Sequence, residues 1–537
     1  MFGIESEYAF AVFSSDGTGL GRSRALGMLL EAAKRRFASL PDIHDGRLFL
    51  ENGSCLYVDC GMHPELATPE CTTPWEAVRY VKAGELILDL LAQDVQAKLG
   101  SGTNLAIFRS NVDYSGARTT WGCHESYLHT ADQGVLFEQV LPHLVSRIIY
   151  TGAGGFDNRR RGVRFLISPR VPHLVNAESD MSTESRGICH TKDEPLCGDI
   201  SGYHRLHVLS GESLCSQRAI FLKVGATALV VALVEAGLRP GDAVRLRNPV
   251  AAMRRIAADT KCAAAVSLDA GGYATAIDIQ SRYLEAAEAN LDRDFMPPWA
   301  PEVCREWRAV LERLRGAPDS VCTELDWAIK LSLYSAHLAR RGVRWKDLEH
   351  PLCTAIANRR ARLTELAESS WVFQLVLELG QLEDCELESE SQSKHFGPCS
   401  EEVRRLQAAA WELFAIDFTF GQIGEGIFES MDHAGVLAHE LPDVGDIEAA
   451  VSQPPAVGRA RVRAECVKRL HGRFGDFHCG WDHIINVAGG QVLDLSDPYF
   501  PAGSADCSPT ADVLPESLRL FLAGCGRANV RRRVRLR

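Results

Sequence analysis

Within the segment 51–71, ENGSCLYVDCGMHPELATPEC, the run Leu56-Tyr57-Val58-Asp59 alternates apolar and polar side chains. That is the period of a β-strand with two unlike faces, Leu56 and Val58 on one and Tyr57 and Asp59 on the other. The polar face carries a carboxylate and runs into Gly61, His63, Pro64 and Glu65, a turn with a second carboxylate. One such strand is ordinarily a solvated sheet edge, but the pattern recurs. The opening segment 2–13 reads as a single strand with Glu5, Glu7 and Ala9 on one face and Ile4, Tyr8 and Phe10 on the other. Glutamates at i and i+2 on one strand face repel each other unless a cation or water lies between them. His124 and Glu125 fall in a third polar-rich strand. Arg205 and His207 share one face of a fourth, opposite Leu206 and Val208.

Strands that each bury one face and line the other with carboxylates imply an α+β fold. Its large domain is a curved, mostly antiparallel sheet forming an active-site cradle, backed by helices. Helical periodicity places those helices at 22–40, 74–99, 139–151 and 216–236, then through 278–341. Residues 152–162 and 191–195 read as loops. A basic helix at 458–472 and strands at 476–487 and 491–495 make a small C-terminal α/β domain. The expected division is a catalytic domain over 1–455, a small domain over 456–505 and a basic tail over 506–537. The acidic, Ser-rich run 384–402 is a spacer within the first.

Composition narrows the function classes. The 58 basic and 70 acidic residues leave a net charge of −12, which argues against nucleic-acid binding apart from the short basic tail. The opening MFGIESEYAF lacks a basic, apolar leader, and no uninterrupted apolar run approaches the roughly 20 residues of a membrane span, 224–234 being the longest. A cytoplasmic protein without membrane contact is expected. The 17 cysteines include no CxxC pair, so neither a zinc site nor a disulfide framework is indicated.

Carboxylates converging in a cleft are costly unless cations neutralise them. Hard oxygen donors favour Mg²⁺ or Mn²⁺ over zinc. Divalent ions with arginine nearby suit phosphoryl transfer, which is largely positioning and charge stabilisation. There is no GxxxxGK[ST] loop and no kinase signature, so nucleotide use would require a sheet-based site.

These residues resemble a known family. The opening GIESEY is similar to the G-[IT]-E-x-E-[FY] of the Pup ligase and depupylase group, within the carboxylate-amine ligases related to glutamine synthetase. NGSCLYVDCGMHPELATPEC is similar to that group's NGARxYxDxxxHPEYxxPE. The likeness continues through SGARTTWGCHESYL, TKDEPLCGDISGYHRLHVLSGES, LKVGATALV, ELDWAIK and GQIGEGIF, in collinear order over most of the chain.

The resemblance implies a glutamine synthetase-like fold that uses ATP and Mg²⁺. It makes Asp59 the catalytic carboxylate and Glu5, Tyr57 and Glu65 metal ligands. Thr68, Trp481 and Arg205 would contact ATP, with His207 and Glu125 as further metal or phosphate candidates. The implied partners are a small Pup-like protein modifier and lysine-bearing protein substrates, with a link to a proteasome system. The implied reaction activates the modifier's C-terminal glutamate as an acyl phosphate and joins it to lysine by an isopeptide bond. A depupylase or deamidase acting on the same modifier is the alternative, and a non-catalytic binder the third reading. The short connection over 39–47 before the Asp59 strand, and GIE rather than GTE at the start, favour ligation. Cys55 stands where the family has an arginine expected to touch ATP. Lys192 and Leu196 replace an arginine and a histidine in a TRDEPH-like run, and lysine lacks the bidentate fork.

Overall fold

The computed structural model describes residues 1–14, 21–43, 46–59, 61–99, 102–114, 119–198, 200, 202–349, 353, 401–487, 489–500, 521 and 533–534. The first strands are β1 (Phe2–Glu7), β2 (Ala9–Ser14), β3 (Ser39–Pro41), β4 (Arg47–Leu50), β5 (Cys55–Val58), β6 (Pro64–Ala67), β7 (Thr103–Phe108) and β8 (Cys123–His129). Two short strands, β9 (Gly155–Phe156) and β10 (Phe165–Leu166), precede β11 (Asn176–Ser179), β12 (Gly187–His190) and β13 (His204–Val208). One nine-stranded sheet carries the order β11-β12-β13-β8-β1-β6-β5-β4-β3. Every neighbouring pair in it is antiparallel except β11 with β12. This is the expected α+β cradle, with β1 at its centre.

The back of the sheet is apolar and covered by helices. Phe2, Ile4, Tyr127, Leu206 and Val208 pack into a core shared with helices Pro74–Leu99, Gln133–Ser146, Gln217–Glu235, Ala276–Glu288 and Ala300–Gly316. Leu48, Leu56 and Leu66 join a second core under helix Arg22–Arg36. Helix Pro74–Leu99 begins where the sequence places it. Thr73 Oγ1 accepts from the Glu76 N–H at 3.1 Å while the Glu76 carboxylate accepts from the Thr73 N–H at 3.3 Å, a reciprocal cap just ahead of proline at a tolerant first position.

Helix Gln217–Glu235 is, among the described residues, the one long and apolar enough by length and composition alone to cross a membrane. Of that stretch, 83% is buried inside the protein. It matches the helix expected over 216–236.

At the β3–β4 end the polar face is roofed by the C-terminal elements. Earlier in the chain, β14 (Val266–Ser267) and β15 (Tyr273–Ala274) form a separate hairpin, and helix Arg459–Leu470 is followed by three short strands. They are β16 (Phe477–Cys479) and β17 (His483–Asn486), and β18 (Gln491–Asp494) completes the set. Leu40, Phe49, Cys55 and Ala67 of the large sheet share one core with Val462, Val467, Ile484 and Leu493. Residues of the basic tail contribute β19 (Arg533–Val534), parallel to β18. The rest of the tail except Phe521, and all of the acidic run before Glu401, lie outside the described residues.

Several local expectations change. The opening strand is two strands in different sheets: β2 leaves the cradle to pair with β7, and the Tyr8 N–H donates to the Pro64 carbonyl at the break. The strand through Leu56–Val58 is one arm of a hairpin formed by β4 and β5. Residues 152–162, expected as a loop, include the short buried strand β9, while 159–161 are exposed. Gly154, at φ +68°, sits against the Trp327 backbone, where a Cβ would come within 2.6 Å.

Candidate active site

Register explains why the polar side chains converge. Glu5 lies opposite His124, and Glu7 opposite Glu65, across the two edges of β1. Glu65 in turn lies opposite Tyr57, and Tyr57 opposite Arg47, whose guanidinium sits 5.3 Å from the Tyr57 ring centroid. Directly opposed residues in a sheet share a face. Five strands, β8, β1, β6, β5 and β4, therefore deliver one continuous polar surface. Glu65 belongs to the middle of β6, not to a turn.

Three overlapping groups result, each with one ligand atom per residue and all atoms within 4.8 Å of one another: Glu5, His124 and His207; Glu7, Asp59 and His63; Glu7, Glu65 and His124. Their protonation is strongly perturbed. Burial raises Glu65 well above the usual carboxylate range, and the Glu5 and Glu7 charges push it further. Glu5 is also raised by burial, with Arg205 and Arg47 opposing. Burial, then Glu5 and Glu65, pushes the Tyr57 phenol up. The histidines move the other way. Burial and then the neighbouring His207 hold His124 well below its ordinary value, and burial and then Arg205 hold His207 at about 3. The surface is thus a set of crowded carboxylates beside neutral imidazoles, an oxygen-rich donor set that a hard divalent cation relieves.

Asp59 follows β5 in a tight turn. Its Oδ1 accepts from the His63 N–H at 2.7 Å, and its Oδ2 lies 3.3 Å from His63 Nδ1. Met62 takes a left-handed φ of 60° to close the turn. A Cβ on Gly61 would lie 2.7 Å from the His63 ring and 3.1 Å from Asp59 Oδ2, so only glycine fits there without displacing both.

Beyond Glu5 the surface opens into a cavity with about 660 Å³ of empty space, part of it open to solvent. Gly3, Glu5, Thr68, Arg205 and Trp481 all line it, with Glu70, Leu196 and Arg459. Thr68 is held by its Oγ1, which accepts the Ile4 N–H at 3.1 Å. Arg205 is oriented by Asp193, which accepts its backbone N–H at 2.8 Å, and its buried Nε has no partner. Trp481 packs edge-on against Phe49, ring centroids 5.1 Å apart.

Cys55 is only 1% exposed in the core between the sheet and the C-terminal elements. A cation stands nearby all the same: the Arg463 guanidinium lies 4.8 Å from the Trp481 ring centroid and donates to the Gly53 carbonyl at 3.1 Å. Arg463 and Arg459 also clamp Glu70. Burial alone would raise that carboxyl, but the two guanidiniums hold it near 2. Lys192 is exposed and paired with Glu194 at 2.7 Å.

Glu125 does not join this surface. It is adjacent to His124 on β8, so its side chain points to the opposite face, where it is 1% exposed. There it receives Arg147 Nη1 at 2.8 Å and Nη2 at 2.5 Å, the Tyr127 hydroxyl at 2.6 Å, and has Lys223 Nζ at 3.7 Å. This is an internal ion network of the core. Glu125→Ala would strand Arg147 and Lys223 in the core and should cost about 3–5 kcal/mol of stability, read by denaturant unfolding. Wild-type stability of that variant would overturn the assignment. Conversely Glu7, His63 and His124, absent from the expected site residues, stand within the polar surface. Their signals were in the sequence: Glu7 is two residues from Glu5, and His124 has the phase opposite to Glu125.

The family model described as Pup-ligase protein matches residues 1–356 and 400–485. A Pup--protein ligase of Xylanimonas cellulosilytica is 36% identical over 514 residues, covering 93% of this chain and 96% of that one. One from Acidimicrobium ferrooxidans is 31% identical over 508 residues, covering 93% and 95%. The structure of the Pup ligase PafA in complex with Pup superposes with a TM-score of 0.72 at 25% identity, covering 98% of this chain and 92% of that chain. The structure of PafA in complex with ADP gives 0.68 at 25% identity, covering 94% of each. With one polar sheet face, one adjoining cavity and a match that runs through nearly all the described residues, the chain belongs to the Pup-ligase family.

Proposed function

We propose that the protein is an ATP-dependent ligase that joins the C-terminal glutamate of a small Pup-like modifier to substrate lysines. One observation carries the site assignment: the cavity lined by Thr68, Arg205 and Trp481 opens at Glu5, where the carboxylate surface begins, and Asp59 stands across that surface. In this reading the cavity holds ATP with its phosphates toward Glu5 and Arg205. The raised carboxyls of Glu5 and Glu65, with Tyr57 between β4 and β6, fit Mg²⁺, and His207 and His124 border the same donors. Bound there, Mg²⁺ would neutralise phosphate charge during transfer.

The modifier's terminal side-chain carboxyl takes the γ-phosphoryl group of ATP, leaving ADP. A lysine amine then displaces phosphate to form the isopeptide bond. Asp59 accepts the proton that the lysine ammonium must lose before it attacks. His63 fixes the Asp59 carboxylate by its backbone N–H, so the base is aimed without a long flexible search. The reaction would take place in the cytoplasm. All twelve cysteines among the described residues are free thiols, in keeping with a reducing setting.

The test is incubation with Mg²⁺, ATP, a modifier ending in glutamate and a lysine-bearing protein. ADP and a lysine-linked adduct should appear together. Cleavage of a purified conjugate with little ATP turnover would identify a depupylase instead. Tight modifier binding with neither reaction would identify a binder.

A further inference from the structure

We infer that Cys123 and Lys223 form an oxidative cross-linking site, at which hydrogen peroxide joins Sγ to Nζ through one bridging oxygen. The site lies behind the cradle and does not depend on the ligase reading. Cys123 precedes His124 on β8, so alternation turns its side chain to the back of the sheet, away from the polar surface. There it meets helix Gln217–Glu235. Lys223 Nζ donates to Cys123 Sγ at 3.0 Å and to the Glu212 carbonyl at 3.0 Å, and a Glu125 carboxylate oxygen lies 3.7 Å away. The two residues stand 100 positions apart in the chain and are 4% and 2% exposed. Neither has a part in the chemistry proposed above.

The pair borders a small internal cavity with about 250 Å³ of empty space, which Ser6, Arg109 and Ser213 also line. Ser213 Oγ and Arg109 Nε are buried there without a hydrogen-bond partner, and the Ser6 hydroxyl lies 3.6 Å from Cys123 Sγ. Polar atoms left unpaired around a void are the partners that a small hydrogen-bonding guest needs, and peroxide is one. Local opening of the fold admits it. Among the described residues no second cysteine lines the cavity. A sulfenic acid formed at Cys123 therefore has an amine beside it rather than a thiol.

The sulfur attacks peroxide as the thiolate, with the Lys223 ammonium against it. One oxygen passes to sulfur to give Cys123–SOH. The hydroxide released takes a proton from the Lys223 ammonium and leaves as water. The free amine attacks a second peroxide, giving a hydroxylamine and a second water. Sulfenic acid and hydroxylamine then condense to S–O–N with loss of a third water. Sulfur and nitrogen each give up two electrons, both peroxides are reduced, and the original thiol proton passes to solvent. The bridge ties β8 to the helix over its back and removes the Lys223 charge from beside Glu125. Arg147 keeps its two hydrogen bonds to that carboxylate.

The full-length protein is treated with hydrogen peroxide, digested and mapped by mass spectrometry, and its melting temperature is measured before and after. The peptides carrying Cys123 and Lys223 should appear joined, about 14 Da heavier than their sum because one oxygen enters and two hydrogens leave. A thiol reductant should separate them. The melting temperature should rise with the cross-link, which closes a long loop, and fall back on reduction. Cys123→Ser should give neither the joined peptide nor the shift. A joined mass about 2 Da below the sum is a direct S–N bond and overturns the oxygen bridge. A gain of about 32 or 48 Da on Cys123 with Lys223 unmodified is sulfinic or sulfonic acid and overturns the cross-link. An intact Cys123 thiol in a sample whose half-buried Cys322 is oxidised overturns the site altogether.

Discussion

Asp59→Asn should lower the rate of adduct formation by about 10²–10⁴-fold while leaving the fold and ADP affinity unchanged. The substitution is nearly isosteric. An asparagine Oδ1 can still accept the His63 N–H that Asp59 accepts at 2.7 Å, so the turn closed by Met62 should persist. What is lost is a base for the lysine ammonium and one negative charge beside Glu7 and His63. Because Asp59 does not line the cavity that holds Thr68, Arg205 and Trp481, nucleotide affinity separates the two functions. Single-turnover kinetics resolve them further: formation of ADP from ATP and modifier should continue in Asp59→Asn, and transfer to lysine should stall. Parent-like adduct rates in Asp59→Asn would remove Asp59 from the chemistry.

How far the sequence carried the site depends on the element. Period-two alternation on β1 and β13 placed Glu5 and Arg205 on the polar face, and β5 gave Tyr57 the same side. The same rule carried the opening strand through to residue 13, past the break at Tyr8; Glu125, a candidate from the resemblance, lies one residue from His124 and so on the opposite face. Two features were invisible for physical reasons. Tyr8 ends β1 because its N–H bonds Pro64 in a strand far along the chain, a tertiary competition that local pattern does not encode. Glu65 looked like a turn residue because Gly61 and Pro64 flank it, yet Pro64 opens β6 at a position where a strand tolerates proline. Likewise Cys55 reads as a lost nucleotide contact along the chain, whereas Arg463, about 400 residues further on, donates to the Gly53 carbonyl and lies against the Trp481 ring. No sequence rule pairs those two positions. The helices expected over 74–99, 216–236 and 458–472 fell within two residues of their ends, whereas the one expected over 139–151 starts at Gln133, and the helix Glu401–Phe420 was not expected.

Glu65→Gln should do two opposite things at once. Without Mg²⁺ it should raise thermal stability, because Glu65 is buried against Glu5 and Glu7 and its charged form is disfavoured by all three causes. Glutamine keeps a carbonyl acceptor for the Tyr57 hydroxyl while removing the repulsion. With Mg²⁺ the order should reverse. The parent gains stability from binding a cation between its carboxylates, and the variant gains little, since ligand binding stabilises only in proportion to affinity. Even partners outside a metal's ligand set change affinity by about 10–100-fold, so loss of a ligand should raise the Mg²⁺ requirement for ligation by more than about 100-fold. Melting curves of parent and variant across a Mg²⁺ titration read both effects without relying on turnover. The crossing of the two curves is the signature of a site built to be unstable when empty. A Glu65→Gln protein that gains as much stability from Mg²⁺ as the parent would place the cation elsewhere, and Glu5 with His124 and His207 would then be the group to test.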